Sequence, residues 1–478
     1  MFEILKNIKN TNCQSFGYCR IDPRVNALNE LLMNELRQIA FYSVKSNEFN
    51  LMNKEIIKEV VETFCINFVN PNFNENDFIE IYKHFEEKKI QIMNIYRNFF
   101  KKNQIPHEDF IFEDSENFKN SIIKMIKKGE NLLNARNQMN SNTAKLFELI
   151  ELLIKHTSLN ISKIRDFEPD YNEFDFEVIR LSNLLNFPTT REDKLERRIN
   201  EFLDIYLKIK KKLYNTYEKN YGKCEDTKVN LSCIKGKSIL VSGGNLKELE
   251  LLLETTKNAN INIYTHDILF VAHSYPKFKK YNHLIGHFGT NDPCNDFLEF
   301  NGPIYVTKNY EQKIDSIIKA SIFSSGKLLP RGIAKITNDN FKPLIENAML
   351  HDGFQDKLKQ ETTEISYKKT KTDEIFADTK DIIIYIGKKS ENIVDETGKN
   401  ILFFNYFFEI ENLLYELKER KQKTTVIFSK CYMQTIFMAL VLKTKFNMDV
   451  YFSKCPEYYI SPNLVKCLED KYKIVFYK

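Results

Sequence analysis

The stretch Gly236-Lys-Ser-Ile-Leu-Val-Ser-Gly-Gly-Asn-Leu-Lys-Glu-Leu-Glu250, followed by Asn262-Ile-Tyr-Thr-His-Asp-Ile268, decides the fold. Ser238 to Ser242 is a short apolar and β-branched run that reads as a strand, and Gly243-Gly244 breaks it. Leu246 to Lys257 has the three-to-four spacing of an amphipathic helix, and Ile261 to Thr265 reads as the next strand. Strand, turn, helix and strand in this order form one βαβ unit, which requires a parallel sheet. A second series has the same grammar. It runs through Thr424 to Ser429, the apolar helix Met433 to Leu442, the strand Asp449 to Ser453, the helix Ser461 to Asp470 and the strand Ile474 to Tyr477.

Upstream, the pattern is helical almost throughout from Asp22 to about Gly222. Asp22-Pro23 is a helix start that leads into the stripe Val25, Leu28, Leu31, Leu32, Leu36, Ile39 and Ala40. Periodic stretches follow at Lys54 to Asn70, Glu75 to Lys102, Ser115 to Gln138, Thr143 to Ser158 and Thr190 to Tyr221. The fold class expected is therefore α+β and multidomain: an N-terminal helical bundle followed by two α/β Rossmann-like domains, the second shortened. The boundaries expected are 1–227 for the bundle, 228–354 for the first α/β domain, 355–380 for a linker and 381–478 for the second. The linker assignment rests on the polar, charged and aperiodic character of Gln355 to Lys380.

Composition narrows the function classes. With 478 residues the chain exceeds the size at which single cores stop growing. Its 70 Lys and Arg against 65 Asp and Glu leave a net charge of only +5, spread along the chain, which speaks against nucleic acid as a partner. No apolar run is long enough for a membrane span, and Met1 to Lys9 does not resemble a signal peptide, so a cytoplasmic location without membrane contact is expected. Nine cysteines without a CxxC pair support neither a disulfide scaffold nor a zinc ribbon.

In open α/β sheets ligands collect outside the carboxyl ends of the strands, where loops converge and helix N-termini face inward. Those ends carry Ser242-Gly-Gly-Asn245, His266-Asp-Ile268, Thr307-Lys-Asn-Tyr310, Ser429-Lys-Cys-Tyr-Met433 and Lys454-Cys-Pro456. The candidate cleft residues are Gly243, Asn245, His266, His273, Asn309 and Cys431. A phosphate cradle at Gly243-Gly244 lacks the fuller G-x-G-x-x-G spacing, so a simple turn accounts for the glycines. His266, His273, His283, His287 and Cys294 are close enough in sequence to suggest zinc. Only His283 and His287 have helical ligand spacing, however, and packing and hydrogen bonding is the role expected of the histidines. Cys431 follows a strand and opens a helix, where a thiol pKa would fall, but no base is identifiable beside it, so a structural thiol is expected.

The segments above, together with Ala272-His-Ser-Tyr-Pro-Lys-Phe-Lys-Lys-Tyr-Asn-His-Leu284 and Gly302-Pro-Ile-Tyr-Val-Thr-Lys-Asn-Tyr310, resemble in order and spacing the hybrid-cluster (prismane, hydroxylamine reductase) family. That family is related to carbon monoxide dehydrogenases. The resemblance covers Phe2 to Ser43, Thr63 to Phe85, Tyr217 to Phe354 and Val426 to Ile474. It implies a hydroxylamine reductase fold whose interdomain pocket holds an iron-sulfur-oxygen cluster. It also marks the former active-site positions in this chain. The family's Ser-Gly-His-Asp-Leu loop puts an iron-bound His where Gly244 stands, and its Tyr-Thr-His-Gly-Glu loop puts a Glu at Ile268. Its Thr-Thr-Asn-Cys loop puts a Cys at Tyr310, and its C-terminal Trp-Tyr-Glu-Gln-Lys-Ala puts a Glu and a Lys at Met433 and Thr435. Between Phe354 and Thr424, where the family supplies three further thiolates, this chain has no cysteine. At the N-terminus Cys13 and Cys19 correspond to the second pair of a four-cysteine site, whereas Glu3 and Lys6 stand in place of the first pair.

Clusters need several thiolates converging on one point. The resemblance therefore implies a degenerate, redox-inactive member without the hybrid cluster, a pseudoenzyme acting through binding or scaffolding with a protein or small-molecule partner. The alternative is a residual oxidoreductase of the hydroxylamine reductase type, reducing hydroxylamine or nitric oxide, with a reduced iron-sulfur cluster at Cys13 and Cys19 or a different metal.

Overall fold

The computed structural model of the chain describes residues 23–66, 74–106, 121–139, 141–289, 293–309, 321–330, 332–355, 361–365, 382–386, 400–404, 424–428, 433–452 and 462–476. Two compact units emerge. One takes in the described residues of Met1–Leu213, Lys327–Arg331 and Ile460–Leu464; the other takes in those of Tyr214–Gly326, Gly332–Tyr459 and Val465–Lys478.

The first unit is helical, with α1 Pro23–Asn47, α2 Lys54–Phe64, α3 Glu75–Asn103, α4 Ile122–Asn137, α5 Ser141–Arg165, α6 Asp175–Leu184 and most of α7 Glu192–Tyr221. Helix starts are set by side-chain caps. Asn53 accepts from the amides of Glu55 and Ile56, and Asn74 accepts from Asn76, which satisfies donors the first helical turn would leave open. The apolar stripe of α1 is fully enclosed at Leu28, Leu31, Leu32, Leu36, Ile39 and Ala40, and α1 packs against α3, α4 and α6. Because α1 and α5 are covered on nearly all sides, their polar residues are buried with them and pair internally. Arg37 donates to Glu30 at 2.5 Å, Arg136 reaches both Glu30 (3.2 Å) and Glu151 (2.8 Å), and Lys155 closes on Glu151 at 3.1 Å. Burial alone would push the Glu151 carboxyl up, but the Lys155, Arg136 and Arg37 charges outweigh it and hold the group well below the usual range.

The second unit contains two parallel sheets. β2 Ser238–Ser242, α8 Leu246–Thr256 and β3 Asn262–Thr265 form the βαβ unit expected from the sequence. They continue through 3₁₀ turns at Asp267–Ser274 and Phe278–Lys280 into β4 Leu284–His287, then α9 Pro293–Glu299, β5 Ile304–Val306, β6 Ile322–Ser324, β7 Ala334–Lys335 and α10 Lys342–Leu350. The six strands lie in the order β4-β3-β2-β5-β6-β7, all parallel. Every residue of β2 is buried, as befits a central strand covered on both faces. The second sheet has the order β10-β9-β11-β12-β13, also parallel, from β9 Ile382–Ile386, β10 Asn400–Phe404, β11 Thr424–Phe428, β12 Asp449–Phe452 and β13 Val475–Phe476. Phe428, Phe452 and Phe476 stack across its last three strands at centroid spacings of 5.0 and 4.9 Å. Its helices are α11 Met433–Phe446 and α12 Pro462–Tyr472.

One expectation is corrected here. The stretch 355–380, expected as a linker, contains the strand β8 Thr362–Ile365, which pairs antiparallel with β1 Thr227–Asn230. Ile365 is buried against Val229 and Phe270, and this single apolar anchor holds an otherwise polar strand. The helix α6 had no counterpart among the expected elements.

Candidate functional site

In the six-stranded sheet the chain winds one way from β2 through β3 to β4 and the other way from β5 through β6 to β7. The carboxyl ends of β2 and β5 therefore flank a topological switch point, where an open α/β sheet forms its crevice. Four of the six candidate cleft residues lie on loops at carboxyl ends of this sheet: Gly243 and Asn245 after β2, His266 after β3 and Asn309 after β5. Gly243 turns the chain out of β2 at φ +117°, a conformation that a side chain would strain. Asn245 then caps α8 by accepting from the Glu248 amide at 3.0 Å. The Gly244 amide donates to Thr307 Oγ1 at 3.3 Å, bridging the ends of β2 and β5, and Asn309 follows in the left-handed region at φ +56°.

Behind these loops lies a buried hydroxyl and imidazole network. His266 has no exposed surface and contacts Ser242 Oγ through Nδ1 (2.8 Å) and Asp296 Oδ2 through Nε2 (3.1 Å). Thr265 Oγ1 sits between His273 Nε2 (2.9 Å) and His287 Nδ1 (3.0 Å). The same hydroxyl also reaches the Gly286 carbonyl oxygen at 3.5 Å, so its single proton goes to that oxygen or to one ring, and at least one ring donates an N–H to it. Burial lowers His273 to about 4. Burial, then the neighbouring His266 and His273, places His287 well below its ordinary value. Both rings are thus neutral at pH 7. The rings of His266 and His287 stack with centroids 6.3 Å apart, against Phe297 and Phe270.

On the other side of the switch point, Glu248 is a buried carboxylate. Its Oε2 accepts from Tyr305 Oη (3.0 Å) and the Lys308 amide (2.9 Å), and its Oε1 accepts from Ser325 Oγ (2.8 Å). It ties α8 to β5 and to the residue after β6. Sequence reasoning passed over Glu248 and Asp296. The Asn245-x-x-Glu248 spacing is that of a capping box, yet this Glu reaches across to the next strand end rather than back to its own cap. No local signal marks Asp296.

The histidines proposed as an alternative zinc set are dispersed among these partners, with His283 Nε2 bonded to Thr256 Oγ1 at 3.1 Å. Among the described residues no group of three or more His, Cys, Asp or Glu converges on a point. Of the positions expected as former active-site positions, Gly244 and Ile268 are half-buried, at the ends of β2 and β3, and their side chains are hydrogen and hydrocarbon. Neither fits an iron ligand. Thr435 is buried in the first turn of α11, which begins at Met433. Tyr310, Cys431, Cys13 and Cys19 lie outside the described residues. Cys233, a described thiol of the first sheet, is buried, which pushes its pKa up to about 12 and leaves it unreactive at neutral pH.

Comparison with known proteins bears on this arrangement directly. The model of the Prismane/CO dehydrogenase family matches residues 7–397. The chain belongs to the prismane/CO dehydrogenase family. Hydroxylamine reductases are similar to it: 26% identical over 370 residues in Natranaerobius thermophilus, covering 73% of this chain and 64% of that protein. The one from Methanocella arvoryzae is 27% identical over 370 residues, covering 74% and 65%. The chain thus spans slightly less than two thirds of the length of these relatives. Among solved structures, that of NiZn[Fe4S4] and NiNi[Fe4S4] clusters in closed and open alpha subunits of acetyl-CoA synthase/carbon monoxide dehydrogenase superposes with a TM-score of 0.34. The identity is 11%, over 96% of this chain and 68% of that one. Among the described residues no helix is long and apolar enough to cross a membrane.

Proposed function

We propose that this chain is a prismane-family protein that does not assemble the hybrid cluster and acts by binding, as a pseudoenzyme built on two Rossmann-like sheets. The observation that carries the reading is the pair Gly244 and Ile268. They stand at the strand ends where the resemblance places an imidazole and a carboxylate ligand, and neither offers a lone pair. A second feature supports it: apart from His287 Nε2, the buried polar groups described around these positions are engaged with one another. Ser242, His266 and Asp296 form one chain of contacts, Thr265 joins His273 to His287, and Glu248 is filled by Tyr305, Lys308 and Ser325.

Iron and acid-labile sulfide analysis of the full chain, purified under anaerobic conditions, tests this. The expected result is a colourless protein with substoichiometric iron and no turnover of hydroxylamine with a reduced viologen dye. Several iron atoms per chain, with hydroxylamine-dependent dye oxidation, would overturn the proposal and establish an oxidoreductase of the type its relatives are named for.

A further inference from the structure

At the opposite, amino-terminal ends of β3 and β4 the α/β unit has an open cleft of about 480 Å³. Its walls are the last turn of α8, with Glu254 and the following Lys257, and the segment entering β4, with Lys277, Lys280 and Tyr281. Asn282 and His283 complete it. We propose that this cleft binds a phosphorylated small molecule of the diphosphate class.

Charge and occupancy argue for it. Three ammonium groups face one carboxylate, and both oxygens of that carboxylate are already engaged: Glu254 Oε1 accepts from Tyr281 Oη at 2.5 Å and Oε2 pairs with Lys257 at 3.2 Å. Lys277 is anchored by Glu250 and lies over the Tyr221 ring, 5.4 Å from its centroid, so its position is set without a ligand. Lys280 is exposed, and its ammonium pairs with no carboxylate among the described residues. With Glu250 counted beside Glu254, three lysines stand against two carboxylates, and the excess positive charge is that of Lys280, directed at the open cleft. Burial lowers the His283 pKa, so this ring brings no further charge at neutral pH and serves as a hydrogen-bonding wall.

The size lies within the range of small-molecule sites, about 300 to 1,000 Å³, and exceeds what a single phosphate needs. Lysines act on phosphate as point charges that tolerate variable geometry, and three of them around a concavity suit two linked phosphoryl groups. Tyr281 and Asn282 offer contacts to an organic portion. This inference is independent of the cluster question, since the cleft lies at the other end of the strands.

Isothermal titration of the full chain with pyrophosphate, adenosine diphosphate, inorganic phosphate and a single-stranded oligonucleotide tests it. The expected result is binding of both diphosphates with Kd of order ~0.1 mM, tighter than inorganic phosphate. Lys280→Glu should weaken it at least about tenfold. Lys279→Glu, which removes a lysine paired with Glu225 and not part of the cleft, should leave it unchanged. Both lysines are exposed or on the rim of a 3₁₀ turn, and circular dichroism verifies that each variant is folded. Absence of heat with either diphosphate overturns the proposal. So does equal weakening by the two substitutions, which would indicate diffuse charge, or tighter binding of the oligonucleotide, which would indicate a nucleic-acid surface.

Discussion

Replacing Thr265 by valine removes one oxygen and keeps nearly the same volume, so its effect isolates the hydroxyl. Thr265 has no exposed surface, and its Oγ1 serves His273 Nε2 at 2.9 Å and His287 Nδ1 at 3.0 Å. With valine in place, both imidazoles lose a hydrogen-bond partner in a buried site packed against Phe270. A buried polar group left without its partner costs about 1–3 kcal/mol, so the two together give about 2–6 kcal/mol of destabilisation. Thr265→Ser keeps the oxygen and loses a methyl, for about 1 kcal/mol. The chain has no tryptophan and 24 tyrosines, so urea unfolding is followed by far-UV circular dichroism and tyrosine emission. Thr265→Val within about 1 kcal/mol of Thr265→Ser would refute the claim that this hydroxyl holds the two rings.

Two further perturbations follow from the same sheet. His273 is lowered to about 4 and His287 well below its ordinary value, first by burial in both cases. Between pH 6.5 and 4 the unfolded chain therefore binds protons that the native one refuses, and stability falls as pH drops through this window. His273 alone accounts for about 3 kcal/mol at the lower end. Urea midpoints at pH 7.5, 6 and 5 should decline, and His273→Gln should flatten the decline; a profile independent of that substitution would contradict the assignment. Gly286 in β4 passes close beneath β1, where an added Cβ would collide with the Asn230 carbonyl oxygen and its carbon. Gly286→Ala should cost about 1–3 kcal/mol and speed amide exchange along Thr227–Asn230; unchanged exchange there would show that β1 can simply move aside.

The elements that the sequence makes evident are those whose periodicity is long or whose burial is two-sided. The stripe of α1, the fully buried β2 with its Ile-Leu-Val centre and the α8 pattern after Gly243-Gly244 are each distinct enough for one reading to prevail over the other. β5 and β6 have three residues each, too few for alternation to register, and β8 hides in a charged stretch because only Ile365 is turned inward. The cleft residues were identifiable as types because strand ends are where an α/β sheet collects its loops. Their pairings were not. Ser242 and His266 are 24 residues apart and His266 and Asp296 are 30 apart, and their contact depends on sheet register and on the placement of α9, neither of which local sequence specifies.

That separation between position and pairing bears on how a cofactor-dependent scaffold could persist without its cofactor. A site whose polar groups are held only by a metal would, on losing it, leave buried donors and acceptors open at about 1–3 kcal/mol each. Here most groups around the switch point are satisfied through protein atoms: a carboxylate with three donors at Glu248, an imidazole held at both nitrogens at His266, and a hydroxyl shared by two rings at Thr265, while His287 Nε2 is left without a partner among the described residues. The two positions stripped of donor atoms, Gly244 and Ile268, are the ones that add no polar group to that account. Stability of the strand ends thus depends on the paired residues, and the side chains of Gly244 and Ile268 contribute no hydrogen bond to it. On the proposed reading, Gly244→His and Ile268→Glu together should give a protein that still binds no iron, while the half-buried carboxylate introduced at 268 lowers stability.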